Sequence, residues 1–138
     1  MKLSTRGQYA TRAMLQLALK ANEEPLSIRE IALLEDLSEQ YLEQIFRDLR
    51  KAELVQSIRG AHGGYLLNSE TEKISVGDVI RAVEGPIMPV SCLGSKDDCE
   101  KSAQCVSRKV WLKLQDSILE VLDKTSLSDM VEMVKEEG

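Results

Sequence analysis

The sequence predicts a mainly α-helical chain that is interrupted by one small β-hairpin. Apolar residues recur with helical spacing through most of the first 50 residues, and again from about residue 107 onward. Between these parts, two short β-prone runs flank a glycine-rich turn over residues 54–68. The chain has 138 residues, of which 43% are hydrophobic and 30% charged, which is typical of one globular domain or a small domain with an appendage.

Three helices are predicted before the hairpin. The first covers residues 5–21, where apolar side chains recur at positions i, i+3, i+4, i+7, i+8 and i+11. Ser27 begins the second helix, with Glu30 three residues later in the arrangement of a capping box. Ser38 is the predicted N-cap of the third helix, after a short turn. Two short helices joined by a tight turn, after a longer helix, indicate a helix-turn-helix.

The predicted hairpin directly follows the third helix. Its turn contains Gly60, Gly63 and Gly64, and Arg59 stands where the tip begins. A β-hairpin in this place is the wing of a winged helix-turn-helix domain, whose usual partner is double-stranded DNA. The plainer interpretation is a purely structural hairpin, which assigns no role to Arg59.

Three more helices are predicted after the hairpin. Ser75 caps the first of them, with Asp78 three residues later, and Gly85 ends it. A long helix follows at about residues 107–124, and a short final helix begins near Ser126. The apolar surface of the long helix is broad enough to pack both on its own domain and on a partner, although a single wide internal core is the alternative.

The exposed face of the third helix carries side chains that suit the reading of base pairs. An amide can read adenine, a carboxylate can accept from cytosine, and an arginine can read guanine or hold a phosphate. A merely solvated face is the plainer interpretation, and the winged-helix context favours DNA. The candidate DNA-binding residues of this helix are Ser38, Gln40, Tyr41, Glu43, Gln44 and Arg47.

Further candidate DNA contacts lie outside the third helix. Arg59 and Gly60 at the tip of the hairpin suit the minor groove, whose negative potential attracts a guanidinium group. Phosphates are the predicted partners of Lys2 and Arg6, and additional candidates for the same role are Arg12 and Lys51.

The net charge of −5 argues at first against a nucleic-acid partner. The charge is unevenly spread: residues 1–67 contain nine Lys or Arg and nine Asp or Glu, whereas residues 68–138 contain nine and fourteen. The first half is therefore neutral, and a basic surface on one of its faces is compatible with this composition.

The sequence favours neither an enzyme nor a membrane protein. It contains no set of nucleophile, base and acid and no phosphate-binding loop, and its single histidine, His62, falls on the predicted hairpin. No apolar run approaches the length of a membrane span, and the first residues lack the apolar core of a signal peptide. A cytoplasmic protein is predicted.

All three cysteines fall in one polar segment, SCLGSKDDCEKSAQC, at residues 91–105. Cys92, Cys99 and Cys105 cannot form a closed set of disulfides because their number is odd. Their spacing, C-x6-C-x5-C, lacks the C-x2-C pair of most zinc sites, so among metal sites an iron–sulfur cluster is favoured over zinc. The plainer interpretation, three unremarkable cysteines with or without one redox pair, is equally compatible with the spacing.

Four segments resemble, in order, the signature segments of the bacterial winged-helix regulators that include IscR, NsrR and CymR. They read MKLSTRGQYATRAM, YLEQIFRDLRKAELV, SIRGAHGGYLL and SVGDVIRAVEG. The resemblance extends from residue 1 to about 135. The three-cysteine segment, followed by a tryptophan in a long helix, is similar to the cluster-binding members of the family, IscR above all.

The resemblance implies a homodimer with two winged-helix heads and crossed long helices. It divides the chain into a DNA-binding domain (1–85), a cluster-binding segment (86–106), and a dimerisation helix with a C-terminal helix (107–138). The implied cofactor is an iron–sulfur cluster, taken as [2Fe-2S], whose state tunes binding to operator DNA. An IscR-like control of iron–sulfur biogenesis is the expected role.

By position, Glu43, Gln44 and Arg59 match the main base and groove contacts of the family. Gln40 stands where the IscR type has a further serine contact, so operator preference is expected to differ.

The fourth ligand of the cluster departs from the family pattern. Arg108 replaces a histidine that follows the last cysteine in IscR, and an arginine cannot act as a ligand. Gln8 replaces the acidic ligand that NsrR-type members supply from the first helix of the partner chain. The fourth ligand therefore remains open, among Gln8, a thiol from solution, a water molecule and the local oxygen donors Asp97, Asp98, Glu100 and Ser107. A weak fourth ligand would make the cluster labile, and we hypothesise that this lability is the sensing mechanism.

Other functions remain compatible with the sequence. Within the same family, these are a nitric-oxide sensor and a repressor that responds to cysteine metabolism. From other classes, they are an iron–sulfur carrier on a winged-helix scaffold, and a protein-binding winged helix with a zinc or redox loop. A carrier would lack the salt-dependent duplex binding of a regulator.

Overall fold

The computed structural model describes residues 3–20, 24–88 and 102–137, with side chains from residue 106 onward in the last range. Six helices and one hairpin are formed within these ranges, as the sequence predicts. The helices are α1 (Thr5–Leu19), α2 (Ile28–Glu35), α3 (Glu39–Lys51), α4 (Val76–Glu84), α5 (Ser102–Lys124) and α6 (Leu127–Glu137). The hairpin consists of β1 (Val55–Ile58) and β2 (Gly64–Leu67), and a 3-10 turn at Thr71–Lys73 leads into α4.

Serine side chains begin the helices at the predicted places. The hydroxyl oxygens of Ser27, Ser38 and Ser75 each accept a hydrogen bond from the backbone amide three residues later, at 3.0–3.1 Å. Ser75 and Asp78 form a complete capping box. Glu30 differs from the prediction, because its carboxylate accepts from the Ser27 hydroxyl at 3.3 Å. The third and fourth predicted helix starts are thus confirmed in detail, and the second in position.

The hydrophobic core lies around α1. The buried stripe of α1 packs on the inner faces of the helix-turn-helix, α4 and α6. α3 contributes Leu42, Ile45, Phe46 and Leu49, each with no exposed surface. Leu127, at the start of α6, is also fully buried, so the C-terminal helix returns to the same core. Burial of this many large apolar side chains is the main stabilising term of the fold.

The two strands pair in antiparallel fashion, with Val55 opposite Leu67 and Ile58 opposite Gly64. Leu26 extends the hairpin by a backbone bridge to Tyr65, with N–O distances of 2.8 and 3.1 Å. The backbones come so close there that a Cβ atom at Gly64 would lie 2.3 Å from the Leu26 carbonyl oxygen. Glycine at this position therefore permits the hairpin to dock beside the start of α2.

α5 begins at Ser102, five residues before its predicted start at 107. The prediction followed the apolar stripe, which starts only after the cysteines, whereas the polar residues that open the helix have no periodic signal. Cys105 therefore belongs to a helix and not to the segment that was predicted to run to 106. Cys92 and Cys99 lie outside the described residues.

The end of α5 is joined to the start of α4. The backbone amide of Val76 donates to the Thr125 carbonyl at 2.9 Å, and Leu127 donates to Ile74 at 2.9 Å. Arg81 and Asp123 add a two-pronged ion pair, with both N–O distances at 2.8 Å. The C-terminal part of α5 thus lies on the winged-helix part of the chain, called the head below, which comprises α1 to α4 and the hairpin. The preceding turns of α5 leave Val106, Val110 and several other apolar side chains exposed.

Candidate nucleic-acid interface

The helix-turn-helix is formed by α2 and α3, with Asp36 in the turn between them. Asp36 has φ 56° and ψ 50°, the left-handed conformation that ends α2. The amide of Leu37 donates to the Ala32 carbonyl at 3.1 Å, which closes the turn. Ser38 then begins α3, and its hydroxyl is used to cap that helix. The turn aims α3 away from α2 and leaves one of its faces open.

The open face of α3 carries four of the predicted base-reading residues. They follow each other at i, i+3, i+4 and i+7, on the side opposite to the buried stripe, and all are exposed: Gln40, Glu43, Gln44 and Arg47. Two amides, one carboxylate and one guanidinium on a single helix face offer both donors and acceptors to the edges of base pairs. The structure thus brings these four side chains together.

Tyr41 lies on a different face of α3. It is half-buried, and its ring meets the ring of Tyr9 edge-on at a centroid distance of 5.8 Å. Its ring therefore helps to pack α3 against α1. Tyr41 therefore does not share the open face of α3 with Gln40, Glu43, Gln44 and Arg47.

Two predicted phosphate-binding arginines form ion pairs within the protein. Arg6 of α1 binds the carboxylate of Asp48 on α3, and Arg12 binds Glu35 on α2 at 2.6 Å. Arg12 also stacks over the ring of Tyr9, with 5.5 Å between its guanidinium carbon and the ring centroid. The sequence did not reveal either acidic partner, since each lies more than twenty residues away and reaches its arginine only through helix packing.

The tip of the hairpin carries Arg59 and Gly60, both exposed. Gly60 has φ 114°, a conformation that favours glycine, and its carbonyl accepts from Gly63 at 3.1 Å. His62 is exposed at the same tip. The hairpin and the open face of α3 follow each other directly in the chain, which is the arrangement of a winged helix. Lys51, in the last turn of α3, is also exposed, and Lys2 lies outside the described residues.

The predicted cluster ligands are only partly described. Cys105 has its backbone in the first turn of α5, and Arg108 follows one turn later. Gln8 is exposed, and its amide donates to the Leu3 carbonyl at 3.1 Å. Among the residues that the structure describes, no group of three histidine, cysteine or acidic side chains is close enough to hold a metal ion. Asp97, Asp98 and Glu100 fall in the segment outside that range.

Arg81 and Asp123 are a polar pair that sequence reasoning missed. The hydrogen bond from Arg81 lowers the pKa of the Asp123 carboxyl below its usual value, and the same bond raises the pKa of Arg81. A carboxylate oxygen of Asp123 would lie 2.1 Å from a Cβ atom at Gly77, so a glycine there lets α5 approach α4. The glycine of SVGDV was the one available signal of this contact.

Comparison with known proteins shows the family to which the chain is related. The family described as Rrf2, iron-dependent transcriptional regulator, matches residues 3–133. CymR, a transcriptional regulator of Bacillus subtilis, is 46% identical over 130 residues, which cover 94% of this chain and 89% of CymR. IscR of Sodalis glossinidius is 40% identical over 131 residues, which cover 95% of this chain and 79% of IscR.

The solved structures agree with the fold. The structure of CymR, the global cysteine regulator of B. subtilis, aligns with a TM-score of 0.84 over 96% of this chain and 98% of that one. The structure of T. potens IscR is 43% identical and aligns with a TM-score of 0.81, covering 99% and 90% of the two chains. The fold is thus the winged helix with a long helix of these regulators.

The relatives are transcriptional regulators and not enzymes. No helix in the described ranges is long and apolar enough to cross a membrane. The family match spans nearly the whole chain, and the helix-turn-helix, hairpin and long helix follow in the same order as in the solved relatives. The chain belongs to the Rrf2 family of DNA-binding transcriptional regulators.

Proposed function

We propose that this chain binds operator DNA as a homodimer and that an iron–sulfur cluster held by Cys92, Cys99 and Cys105 sets its affinity. The position of the third cysteine carries the proposal, since Cys105 lies in the first turn of α5. A helix N-terminus favours negative charge, which suits a thiolate ligand. α5 is joined to α4 through Arg81 and Asp123, so a ligand on its first turn is connected to the DNA-binding domain.

The donor set fits an iron–sulfur cluster better than a structural zinc ion. Three thiols fall within one polar segment, and none of them forms the C-x2-C pair that zinc sites prefer. The iron-dependent description of the family and the IscR relatives support the same choice. Cys92, Cys99 and Cys105 would hold a [2Fe-2S] cluster, which would supply redox chemistry when bound. The remaining ligand is an oxygen donor of the chain or a small molecule from solution.

DNA contact is proposed for the open face of α3 and for the hairpin tip. Gln40, Glu43, Gln44 and Arg47 would read base edges in the major groove, where an α-helix fits. Ser38 at the helix start, Tyr41 and Lys2 would contribute contacts to the sugar–phosphate backbone. The exposed Arg59 and Gly60 would enter the neighbouring minor groove.

A homodimer is supported by the uncovered apolar stripe of α5. Val110, Leu114 and Val121 recur at i, i+4 and i+11 on one side of the helix and are 52%, 40% and 64% exposed. A soluble chain rarely leaves such a stripe open to water, so a second copy is the proposed cover. Two heads would then bind two half-sites of an operator, as dimeric helix-turn-helix proteins do. We expect the protein to act in the cytoplasm, where operator DNA and iron–sulfur assembly meet.

Matched protein with and without its cluster tests the proposal. Iron and sulfide are measured on protein purified without oxygen, and the cluster type is identified by its absorption spectrum. Both forms are then titrated with a duplex that the wild-type protein selects from a random-sequence pool. We expect their affinities to differ, and Cys99→Ser protein to bind like the cluster-free form whatever the iron supply. Equal affinities of the two forms for every selected duplex would contradict control by a cluster. Zinc without sulfide in the purified protein would contradict the presence of the cluster itself.

A second candidate function is a response to cysteine supply, because the 46% identical relative is a global cysteine regulator. A variant with all three cysteines replaced by serine separates the two functions. If the cluster is the sensor, the DNA binding of this variant is insensitive to added cysteine and to iron. A variant that still responds to cysteine would favour the second candidate. An iron–sulfur carrier would show no sequence-selective duplex binding in either form.

A further inference from the structure

We propose that Arg6 and Asp48 form a positioning pair that holds the base-reading turn of α3 in its orientation, in place of a contact from Arg6 to a DNA phosphate. The proposal rests on the role of α3 as the DNA-reading helix. It changes the expected role of Arg6, which the sequence alone assigns to phosphate binding. It also gives a role to Asp48, an acidic residue on a helix that approaches a polyanion.

The guanidinium group of Arg6 is lodged between α1 and α3. One of its terminal nitrogens binds the Asp48 carboxylate and lies 3.5 Å from the carbonyl oxygen of Gln44. The side chains of Arg6 and Asp48 are only 32% and 29% exposed. The Nε atom of Arg6 is buried without a hydrogen-bond partner. To reach a phosphate, Arg6 would have to leave these acceptors and leave a largely covered carboxylate without its cation, which is unfavourable.

The contacts of Arg6 act on the turn of α3 that reads DNA. Gln44 and Asp48 lie one helical turn apart, and Arg6 reaches the backbone of the first and the side chain of the second. The exposed side chains of Gln44 and Arg47 project from this same turn. Reading of a base edge requires side chains held in a precise position, so a shift of this turn would weaken specific contacts more than general attraction to phosphates.

The same end of α1 is also fixed to α4. The backbone amide of Gly7, next to Arg6, donates to Ser4 at 3.1 Å and to the carboxylate of Glu84 at 3.2 Å. Glu84 is the last residue of α4. The first turn of α1 therefore bridges the reading helix and the end of α4, after which the chain leads toward the cysteines. Arg6 is the side chain through which this bridge holds α3.

Charge explains why a pair, and not a single residue, occupies this place. An unpaired carboxylate at position 48 would repel the phosphates of a duplex that α3 approaches. Arg6 neutralises it, and together the two residues carry no net charge. A pair of zero net charge adds little to the release of counterions on DNA binding, whereas a direct phosphate contact adds about one unit to the salt dependence of affinity.

The charge-neutral double variant Arg6→Gln/Asp48→Asn tests the proposal. The probe is a duplex that the wild-type protein selects from a random-sequence pool, and a shuffled duplex of equal length measures non-specific binding. We expect roughly tenfold weaker binding to the selected duplex, little change on the shuffled one, and an unchanged slope of affinity against salt. Circular dichroism and thermal melting show whether the variant folds. The single variants complete a double-mutant cycle, which reports the coupling of the two residues.

The matched control is Lys135→Gln/Glu132→Gln, which removes an ion pair of α6 with the same loss of charges but does not touch α3. It should leave the ratio of specific to non-specific binding unchanged. Equal losses on both duplexes with a salt slope lower by about one would make Arg6 a phosphate ligand and overturn the proposal. Wild-type affinity in the folded double variant would overturn it too. If the wild-type protein selects no sequence from the pool, the failure is that of the DNA-reading function itself.

Discussion

Asp36 has a backbone conformation that is unfavourable for residues with a side chain. Its φ of 56° and ψ of 50° belong to the left-handed region, which disfavours a side chain, although less for Asp than for most residues. Because glycine adopts this conformation without strain, Asp36→Gly should raise the free energy of unfolding by about 0.5 kcal/mol after the larger chain entropy of glycine is subtracted. Chemical denaturation of the two proteins measures the difference.

Leu33→Gly is the control for that substitution. Leu33 lies within α2, the helix that ends just before Asp36, and it is 78% exposed, so little burial is lost with its side chain. Glycine inside a helix costs about 1 kcal/mol relative to a good helix former, and this variant should therefore be less stable than wild type. Two glycines introduced three residues apart should thus have effects of opposite sign. Destabilisation by Asp36→Gly would mean that the aspartate side chain stabilises the turn by more than its backbone strain.

Elements are predictable from this sequence where their signals are local. Ser38 and Ser75 predict the starts of α3 and α4, because a serine oxygen can cap only the amides that follow it within one turn. The open face of α3 is likewise contained in the spacing of its own apolar residues. The start of α5 has no such signal, because Ser102 opens a polar turn with neither a capping box nor an apolar stripe.

Contacts between elements are less predictable because they depend on how helices pack. Arg6 and Asp48 are 42 residues apart, and nothing in either neighbourhood indicates the other. The sequence therefore predicted a phosphate contact for Arg6 but could not reveal its acidic partner. The pairing of Arg81 with Asp123, also 42 residues apart, was hidden for the same reason. Only the glycine at position 77 hinted that two helices approach closely there.

The ion pair between α4 and α5 should make stability depend on acid. The pKa of Asp123 is lowered in the folded protein by its hydrogen bonds from Arg81, so its contribution is complete above the unfolded pKa of about 4. The contribution is lost as the pH falls through the lowered folded pKa. Asp123→Asn should therefore cost no more than about 1 kcal/mol near pH 7, because the pair is exposed, and the difference should shrink below about pH 4. Urea denaturation across this pH range measures it.

Asp116→Asn provides the comparison on the same helix. Asp116 is exposed and lies about two turns before the pair, so its substitution removes an equal charge without removing the contact to α4. We expect its effect on unfolding to be smaller at neutral pH and to vary less with acid. A constant difference between Asp123→Asn and wild type from neutral to acidic pH would show that the ion pair does not contribute through the charge of Asp123.

At the scale of the whole molecule, the head and the long helix differ in how far their apolar side chains are buried. Within the described residues, the core of the head contains large side chains with almost no exposed surface, such as Phe46 and Met14. The long helix instead leaves Val106, Val110 and Leu114 between 40% and 62% exposed. α5 packs on α4 through contacts that include the ion pair of Arg81 and Asp123. The described residues thus combine a fully packed helix-turn-helix core with an exposed apolar stripe on α5, which a second copy would cover in the proposed homodimer.

Leu114→Glu should convert the proposed homodimer into a monomer. Leu114 lies at the middle of the apolar stripe from Val106 to Val121 and is 40% exposed in the single chain, so a carboxylate there would be buried when two chains associate through the stripe. The head should remain folded, because its core lies elsewhere. Sedimentation velocity should give the mass of one chain, and the selected duplex should bind far more weakly, because two linked heads reach two half-sites together whereas single heads bind them one by one.

Lys109→Glu separates this effect from that of added negative charge. Lys109 is exposed on the same helix and lies about 100° or more around the helix from Val110, Leu114 and Val121. Its variant should sediment as a dimer and lose only the modest affinity that a change of charge outside the groove causes. If Leu114→Glu protein also sediments as a dimer, the stripe is not the subunit interface. If it is monomeric and yet binds the selected duplex as tightly as wild type, the operator is read by one head, and the exposed stripe of α5 has a role other than joining two heads on DNA.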